Sequence, residues 1–429
     1  MDPCEERHMS RPDSLRGNAL VVGAGVVGLA TALCLQRQGW AVSLLDRNPP
    51  GLATSFGNAC TFATYSVEPV ATPGIWRKAP GMLLRPDSPL AIRPAYLPRI
   101  APWLWRFLAE SRRHRVEAIG HDLNSLLRPC MAAWQVLLDD AQANDLVRHD
   151  GSLYIFEAHE RQAALEMVDY HRRFEVPIRL VEGPELRELE PALSARAACA
   201  VELPGVSRTL DPYALSRRLF ERFLALGGRF RRGELLGIEP AGEGGDAVQA
   251  HLSSGERIVA ARVALCTGAW SRHLTQQLGD AVPQDTERGY HVLFDHAGEV
   301  LNRPVCWAAG GFYMTPMAQG LRVAGTVEFA GLEALPAEAR YRYLARGARR
   351  FLRLQHEPVS RWMGFRSSLP DSKPVLGPAR RLPQVFYNFG HGHIGLTLGA
   401  ITGQLLAEQA SGLAPSVPLE PFLARRFAE

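Results

Sequence analysis

The chain contains 429 residues, 46% of them hydrophobic and 21% charged, an ordinary globular composition with length for two or three domains. Its 48 basic and 44 acidic residues leave a net charge of +4, too small an excess for a dedicated nucleic-acid-binding surface. The seven cysteines include no pair at CxxC spacing, so neither a disulfide framework nor a zinc site is expected. This cysteine usage fits a reducing, cytoplasmic compartment.

The polar segment 1–17 lacks the apolar core of a signal peptide, and we interpret it as a flexible leader. No run of about 18 apolar residues occurs, so no membrane-spanning helix is expected. The segment Ala101–Arg115, APWLWRFLAESRRHR, places tryptophans before a basic cluster. We expect an amphipathic helix with its tryptophans turned inward; the alternative is a helix lying on the inner face of the cell membrane.

A first βαβ unit is indicated by ALVVGAGVVGLATALCLQRQGWAVSLLDRN. Ala19–Val22 and Ala41–Leu45 are short apolar runs typical of buried parallel strands, and Val27–Arg37 between them has helical spacing. Gly23–Gly28 spell GxGxxG, and Asp46 ends the second strand. Glycines at these positions allow a tight turn, a close pyrophosphate and close helix packing, while the acid can bind a ribose diol. The unit therefore predicts a site for NAD or FAD.

The segment after Asp46, RNPPGLATSFGNACTFATYS, has the composition of a loop rather than of another βα unit. Its small polar residues Thr54, Ser55 and Asn58 can lie along an extended cofactor, and an ordinary surface loop is the alternative. This continuation favours FAD over NAD.

The middle of the chain supplies further pieces of the same sheet. DPYALSRRLFERFLALGG predicts a helix capped by Asp211, followed by a strand pair. A hairpin then runs into the apolar strand of ARVALCTGAW, which ends at Thr267 and Gly268. A strand that ends in Thr-Gly beside a GxGxxG unit is typical of flavoproteins, so the sheet is expected to be assembled from distant parts of the chain.

Near the end, NFGHGHIGLTLGAITGQLLAE predicts a strand over Phe386–Phe389, a bare loop over Gly390–Gly395 and a helix over Leu396–Glu408. The glycines either begin a simple helix or let a ligand lie against the backbone. His391 and His393 have HxH spacing, but no third ligand is visible nearby, so no metal site is expected.

With these elements, the chain resembles the FAD-dependent D-amino-acid dehydrogenase family, within the wider group of D-amino-acid oxidases, glycine oxidases and sarcosine oxidases. The resemblance runs from Asn18 to about Ala424. It is carried by VVGAGVVGLATALCL, TSFGNAC, ALCTGAWS, ERGYHV, MGFRSSLPDSKPVLGP and FGHGHIGLTLGAITGQLLAE, in the family's order. The last two blocks are the specific ones, because GxGxxG alone does not choose among flavoproteins.

The resemblance implies an α/β fold in two domains. A Rossmann-like FAD-binding domain is expected from the discontinuous segments 18–66, 195–275 and 361–424. The substrate domain is expected from 67–194 and 276–360, with an antiparallel sheet that covers the flavin.

The resemblance also implies roles for individual residues. Arg366, in MGFRSSLP, matches the arginine that holds the substrate carboxylate through two parallel hydrogen bonds; the alternative is a surface arginine paired with Asp371. Tyr290 matches a tyrosine near the substrate, although a structural tyrosine fits nearly as well, and in a regular strand its neighbour faces the other way. Tyr313 is a weaker candidate, and His391 is expected beside the flavin ring.

FAD is expected to bind noncovalently between the two ends of the chain, with the N-terminus of the last helix directed at the flavin edge that becomes anionic on reduction. The residues expected to bind it are Gly23, Ala24, Gly25, Val26, Val27, Gly28, Asp46, Arg47, Thr54, Ser55, Asn58, Ala59, Leu235, Thr267, Gly268, Gly390, His393, Ile394, Gly395, Leu396 and Thr397.

The implied reaction transfers the α-hydrogen of a neutral amine as hydride to flavin N5, and positioning supplies most of the catalysis. The first hypothesis is a dehydrogenase of D-amino acids, of the D-proline or D-hydroxyproline type, that passes electrons to a quinone or a partner protein. The second is an oxidase of the glycine or sarcosine oxidase type that uses oxygen. The third is a flavin-bearing subunit of an electron-transfer complex. Self-association stays open.

Overall fold

The computed structural model describes residues 16–83, 85, 88–242, 246–295, 297–298 and 300–428. Residues 1–15 of the expected leader lie outside this range. Within it the chain forms ten α-helices. They are α1 (Val26–Arg37), α2 (Ile75–Leu83), α3 (Leu97–Glu110), α4 (Arg113–Asp140), α5 (Arg161–Arg172), α6 (Gly183–Leu189), α7 (Pro212–Ala225), α8 (Ser271–Gln277), α9 (Glu338–Phe351) and α10 (Gly395–Ala410).

The strands of the described residues form a six-stranded sheet, a nine-stranded sheet and two small sheets. They are β1 (Asn18–Val22), β2 (Ala41–Asp46), β3 (Thr61–Phe62), β4 (Leu90–Ile92), β5 (Val147–Arg148), β6 (Ser152–Phe156), β7 (Arg179–Glu182), β8 (Cys199–Leu203), β9 (Ser207–Thr209), β10 (Arg229–Arg232), β11 (Leu235–Pro240), β12 (Val248–Leu252), β13 (Arg257–Ala260), β14 (Arg262–Leu265), β15 (Asp285–Phe294), β16 (Val305–Trp307), β17 (Phe312–Met317), β18 (Gly320–Phe329), β19 (Ser360–Ser368), β20 (Val375–Pro378) and β21 (Val385–Phe389).

The six-stranded sheet has the order β10-β2-β1-β14-β21-β20 and is parallel except for its last pair. Successive side chains of β1 point to opposite faces of the sheet, and both sets are buried because both faces are covered. Ala19 and Val21 join the core that contains α1 and α10, whereas Leu20 and Val22 join a second core beside the small sheet β11-β12-β13. The predicted Rossmann-like sheet, assembled from distant parts of the chain, is therefore confirmed.

Close packing of α1 against α10 brings the two ends of the chain together. Gly395, Gly399 and Gly403 recur at every fourth position of α10 and face α1. A Cβ added at Gly403 would lie 2.9 Å from the backbone nitrogen of Thr31, and one at Gly399 would lie 3.6 Å from Cα of Val27. Gly395, which the sequence assigned to ligand contact, thus begins a glycine series whose later members, Gly399 and Gly403, let two helices approach backbone to backbone.

The nine-stranded sheet has the order β19-β15-β18-β17-β16-β6-β8-β7, with β4 paired to β18. It is mainly antiparallel, as expected for the substrate domain, but β16 pairs with β6 and β4 with β18 in parallel. The domain boundaries stay a prediction. Two strands do not follow these boundaries. β8 and most of β19 belong by sequence to the segments expected for the FAD-binding domain, but they pair in the nine-stranded sheet.

The segment Ala101–Arg115 differs from the single inward-facing helix that the sequence predicted. It is divided between α3 and α4, and the basic cluster lies at the start of α4. Trp103 is 5% exposed and packs inward, whereas Trp105 is 76% exposed. No helix of the described residues is long and apolar enough to cross a membrane.

We predict opposite effects for two alanine substitutions on one face of α10. Gly403→Ala should lower the free energy of unfolding by about 1–3 kcal/mol, because the added methyl meets the α1 backbone and forces the helices apart. Gly399→Ala is the matched control: its methyl makes only ordinary contacts, so the higher helix propensity of alanine should leave stability unchanged or higher. Urea unfolding measures both, and equal effects would contradict the packing.

Candidate active site

A cavity of about 670 Å³ lies between the carboxyl edge of the six-stranded sheet and the nine-stranded sheet, a size typical of cofactor sites. Most residues predicted to bind the cofactor or substrate line it. They are Gly23, Gly25, Val26, Val27, Asp46, Arg47, Thr54, Ser55, Asn58, Ala59, Leu235, Thr267, Gly268, Gly390, His393, Gly395 and Leu396, together with Arg366, Tyr313 and His391.

The GxGxxG turn shows which of its residues shape the backbone and which border the cavity. Gly23 has φ of +104°, and a Cβ there would lie 2.3 Å from the carbonyl oxygen of Cys266. A Cβ at Gly28 would lie 1.8 Å from the carbonyl oxygen of Gly23. The backbone N–H of Ala24 donates to Oδ2 of Asp46 at 2.7 Å. Ala24 and Gly28 therefore build the turn without lining the cavity, in contrast to their predicted contact with the cofactor.

The residues around the N-terminus of α1 fit the pyrophosphate and ribose of FAD. The Val26 N–H donates to Oγ of Ser55 at 2.9 Å, and a Cβ at Gly25 would lie only 3.1 Å from that oxygen. The helix end thus presents N–H groups and a hydroxyl to an anion, beside the Asp46 carboxylate. Trp270, which the sequence did not single out, also lines the cavity and carries the Arg47 guanidinium 4.1 Å from its ring centre.

The loop before α10 approaches the cavity with bare backbone, as predicted. Gly390 and Gly392 have φ of +85° and +52°, conformations that favour glycine. Two residues of the predicted set do not line the cavity with their side chains: Ile394 is buried in the core, and the Thr397 hydroxyl accepts a hydrogen bond from the Ala63 N–H at 2.8 Å. Contact of the backbone N–H groups at the start of α10 with the cofactor stays a prediction.

The histidines of HGH have different surroundings. Nε2 of His391 lies 3.1 Å from Oγ1 of Thr402, and burial lowers the pKa of His391 to about 3. The His393 side chain is open to the cavity, where burial within the protein and then the charge of Arg366 lower its pKa to about 4. In the described residues no cluster of three or more His, Cys, Asp or Glu side chains could hold a metal ion.

Arg366 is the charged centre of the substrate side of the cavity. Its Nη1 donates to the carbonyl oxygen of Thr326 at 2.8 Å, and its guanidinium lies over Gly289. Among the described residues it has no ion-pair partner, and Asp371 pairs instead with Arg426 at 2.7 Å. Burial lowers the pKa of Arg366 and the nearby Glu287 carboxylate partly restores it. The guanidinium is therefore free to bind an anion within the cavity.

Tyr290 lies on the face of β15 that points away from the cavity. Its hydroxyl donates to Glu328 and accepts from the Ala337 N–H at 3.1 Å, and its ring packs against Tyr341. Because side chains alternate along a strand, His291 takes the cavity-facing side, stacked on Trp362. The geometry therefore gives Tyr290 a structural position and does not support its predicted contact with substrate.

Three tyrosines meet at one wall of the cavity. The Tyr65 hydroxyl lies 3.1 Å from that of Tyr154 and also contacts that of Tyr313. Cys306 adjoins them, and burial raises the pKa of each tyrosine. The sequence singled out Tyr313 alone. The only signal for Tyr65 was an aromatic residue at the end of the cofactor loop, and Tyr154 sits in an ordinary strand pattern.

We predict that His391 makes the protein less stable in acid. Its pKa is near 6.5 when unfolded and about 3 when folded, so the unfolded chain binds more protons below pH 6.5 and stability falls as the pH drops. Between pH 7 and pH 5 this should cost about 1–2 kcal/mol. His391→Gln should remove that part of the loss, while His114→Gln, at an exposed site, should not. Equal acid sensitivity of both variants in urea unfolding would contradict the assignment.

Comparison with known proteins gives a family for this site. Residues 18–409 match the DAO family, described as FAD dependent oxidoreductase. A D-amino-acid oxidase of Bradyrhizobium diazoefficiens is 36% identical over 417 residues, covering 95% of this chain and 98% of the relative. A D-amino acid dehydrogenase of Methylobacterium radiotolerans is 29% identical, covering 96% of this chain and 100% of the relative.

Solved structures share the fold. Glycine oxidase from Geobacillus kaustophilus has a TM-score of 0.74 at 19% identity, covering 96% of this chain and 99% of that one. L-proline dehydrogenase from P. horikoshii has a TM-score of 0.69 at 16% identity, covering 96% and 98%. Together with the cavity and its GxGxxG turn, the full-length match assigns FAD as the cofactor. The chain therefore belongs to the DAO family of FAD-dependent oxidoreductases.

Proposed function

We propose that this protein oxidises D-amino acids at the α carbon, with primary or cyclic secondary amines such as D-proline as substrates. The observation that carries the proposal is the unpaired Arg366 guanidinium inside the cofactor cavity. A carboxylate is the ligand that such a planar fork binds best. The names of the relatives, a D-amino-acid oxidase and a D-amino acid dehydrogenase, agree with this substrate class.

The chain's own residues bind and orient the substrate. Arg366 would hold the carboxylate, while the hydroxyls of Tyr65, Tyr154 and Tyr313 border the same cavity and limit the shape of the remaining substrate. The protein surroundings and the charge of Arg366 both lower the pKa of His393, which favours a neutral imidazole that does not compete with Arg366 for the carboxylate. Orientation is the main contribution, since a bound neutral amine needs no strong base.

FAD would be held by the GxGxxG turn, by Asp46 and by the N-terminus of α10, and when bound it supplies the acceptor for the two electrons of the substrate. The partial positive charge at the start of α10 favours negative charge beside it. The backbone of Gly390 and Gly392 leaves room for a flat ring because neither residue has a side chain.

For the electron acceptor we propose a quinone or another carrier, with oxygen as the second candidate because one relative is named an oxidase. Peroxide yield during turnover in air separates the two. Stoichiometric peroxide would favour the oxidase, and trace peroxide with rapid reduction of an added quinone would favour the dehydrogenase.

A quinone acceptor would bring the protein to a membrane surface, and α2 and α3 offer a suitable face. Trp76 is 57%, Leu97 is 48% and Trp105 is 76% exposed. Arg99 and Arg106 of α3 are also exposed. Aromatic rings beside basic side chains suit the interface of an anionic bilayer. We therefore propose peripheral contact through this face.

The membrane contact predicts binding to vesicles. The holoprotein should sediment with vesicles of phosphatidylserine and phosphatidylcholine, and Trp76→Ser together with Trp105→Ser should weaken that binding about 10-fold, because the apolar area is lost. The buried Trp103 is no suitable control, so Val259→Ser serves instead, because Val259 is 50% exposed and lies on β13 of a small sheet. Sedimentation unaffected by the double substitution would contradict the contact.

The proposed D-amino-acid substrate class predicts stereoselective flavin bleaching, and the carboxylate role of Arg366 predicts its loss in a variant. Anaerobic D-alanine or D-proline should bleach the flavin of the wild-type protein, and their L-enantiomers should not. Arg366→Ala should retain FAD but lose about 3–5 kcal/mol of transition-state binding in kcat/KM. Arg361→Ala is the matched control, since Arg361 lies on the same strand but is exposed and paired with Glu338. Bleaching by no D-amino acid, or full activity of Arg366→Ala, would overturn the proposed function.

A further inference from the structure

Arg366 has an obvious partner that it does not bind. Arg366 on β19 and Glu287 on β15 are directly paired across the two strands, so their side chains share one face of the sheet. Opposite charges at such positions ordinarily attract each other. Glu287 lines the same cavity and is 6% exposed, yet the two side chains form no ion pair. Something in the local structure must hold the guanidinium away from the carboxylate.

Thr326 supplies the competing acceptor. Between the pairs Arg288 with Glu328 and Tyr290 with Gly325, β18 contains one residue more than β15, which is a β-bulge. Within the bulge Thr326 has φ of +61°, a left-handed conformation in which glycine is usual and a β-branched residue is rare. Its carbonyl oxygen is thereby brought to Nη1 of Arg366 at 2.8 Å.

The rest of Thr326 offers no reason for this conformation. The residue is 2% exposed, and its hydroxyl is buried without a hydrogen-bond partner. Its N–H donates to the carbonyl oxygen of Gly311 at 3.0 Å, which ties the bulge to β17. Strain of this kind persists where the surrounding structure enforces it and is concentrated at functional sites.

Gly289 leaves the space that the guanidinium occupies. It lines the cavity two residues beyond Glu287 on β15, opposite Gly364, and a Cβ there would lie 2.4 Å from Nη2 of Arg366. Any side chain at this position would push the guanidinium off its place above the strand. The bulge therefore provides an acceptor, and Gly289 provides the room to reach it.

We propose that the strained Thr326 carbonyl and the side-chain-free Gly289 are positioning elements that keep Arg366 from collapsing onto Glu287, so that the guanidinium stays available to the substrate carboxylate. The inference rests on the proposed carboxylate role of Arg366. Glu287 then competes with the substrate for Arg366. When the hydrogen bond from Arg366 to the Thr326 carbonyl is lost, Arg366 and Glu287 form an ion pair and the carboxylate site is no longer available.

Binding of propionate to the holoprotein, followed by the change in flavin absorbance, tests this arrangement. Propionate carries the carboxylate but no amine, so it reports Arg366 alone. Thr326→Pro should weaken propionate binding by about 10-fold or more, because proline fixes φ at about −65° and takes the carbonyl oxygen away from Nη1 of Arg366. Thr326→Gly, which adopts the left-handed conformation without strain, should bind propionate as the wild type does. Thr326→Ala keeps the β carbon and the conformation while removing the orphan hydroxyl, and should bind propionate nearly as well as the wild type.

Replacing Glu287 separates a positioning role of Thr326 from a purely structural one. Only the positioning role makes the effect on propionate binding depend on the charge of Glu287. Glu287→Gln combined with Thr326→Pro should restore propionate binding to within about 3-fold of Glu287→Gln alone, since the guanidinium no longer has an anion to pair with. Gly289→Ala should also weaken binding, but Glu287→Gln should not rescue it, because that loss is steric.

The experiment distinguishes failure of the proposed carboxylate role of Arg366 from failure of the positioning inference. If the wild-type holoprotein does not bind propionate, the carboxylate role of Arg366 fails and this inference fails with it. If the wild type binds but Thr326→Pro binds equally tightly, or if Glu287→Gln gives no rescue, the inference alone is overturned and Arg366 keeps its proposed role.

Discussion

A half-buried guanidinium with no ion-pair partner among the described residues is the constraint on which the active site depends. Removing a charge from water costs several kcal/mol unless other groups compensate, and here a carbonyl hydrogen bond and a carboxylate at longer range do so only in part. Because its charge is only partly compensated, Arg366 is expected to interact strongly with an anion that enters the cavity. The nine-stranded sheet makes this possible, because β15 and β19 present the arginine, a gap above Gly289 and an opposing acid in fixed register.

The floor of the cavity has a different physical basis. It is set by two helices, α1 and α10, whose N-termini border the cavity from opposite ends of the sequence. Backbone contact at Gly399 and Gly403 fixes their separation. The segment 390–403 thus contains the glycines of the cavity loop followed by those of the helix contact. A substitution in one part of this segment is therefore expected to affect the other part.

The sequence predicted the cofactor half of the protein well because its signals are local. A strand, GxGxxG and a terminal acid each have a fixed geometric role, so the βαβ unit, Asp211 as a helix cap and the loop before α10 could be located by pattern alone. Within this half, Ala24 and Gly28 form the turn itself, and the Thr397 hydroxyl accepts a hydrogen bond from the Ala63 backbone.

The substrate half was harder to predict because its contacts are long-range. Which of two adjacent residues on β15 faces the cavity depends on a register that no local pattern supplies. The sequence therefore left Tyr290 between a substrate contact and a structural position, and its hydrogen bond to Glu328 favours the structural one. Tyr65 and Tyr154 are 89 positions apart and meet only in the folded chain. The bulge at Thr326 is likewise invisible in sequence, since threonine is an ordinary strand residue.

The most direct test of the account compares a D-amino acid with its own amide. D-alanine and D-alaninamide have the same α carbon and amine and differ in the carboxylate that Arg366 is proposed to bind. In anaerobic stopped-flow mixing, D-alanine should reduce the bound flavin at least about 100-fold more efficiently than the amide, the loss expected for a buried charged contact. Equal rates of reduction would contradict the central claim that Arg366 binds the substrate carboxylate.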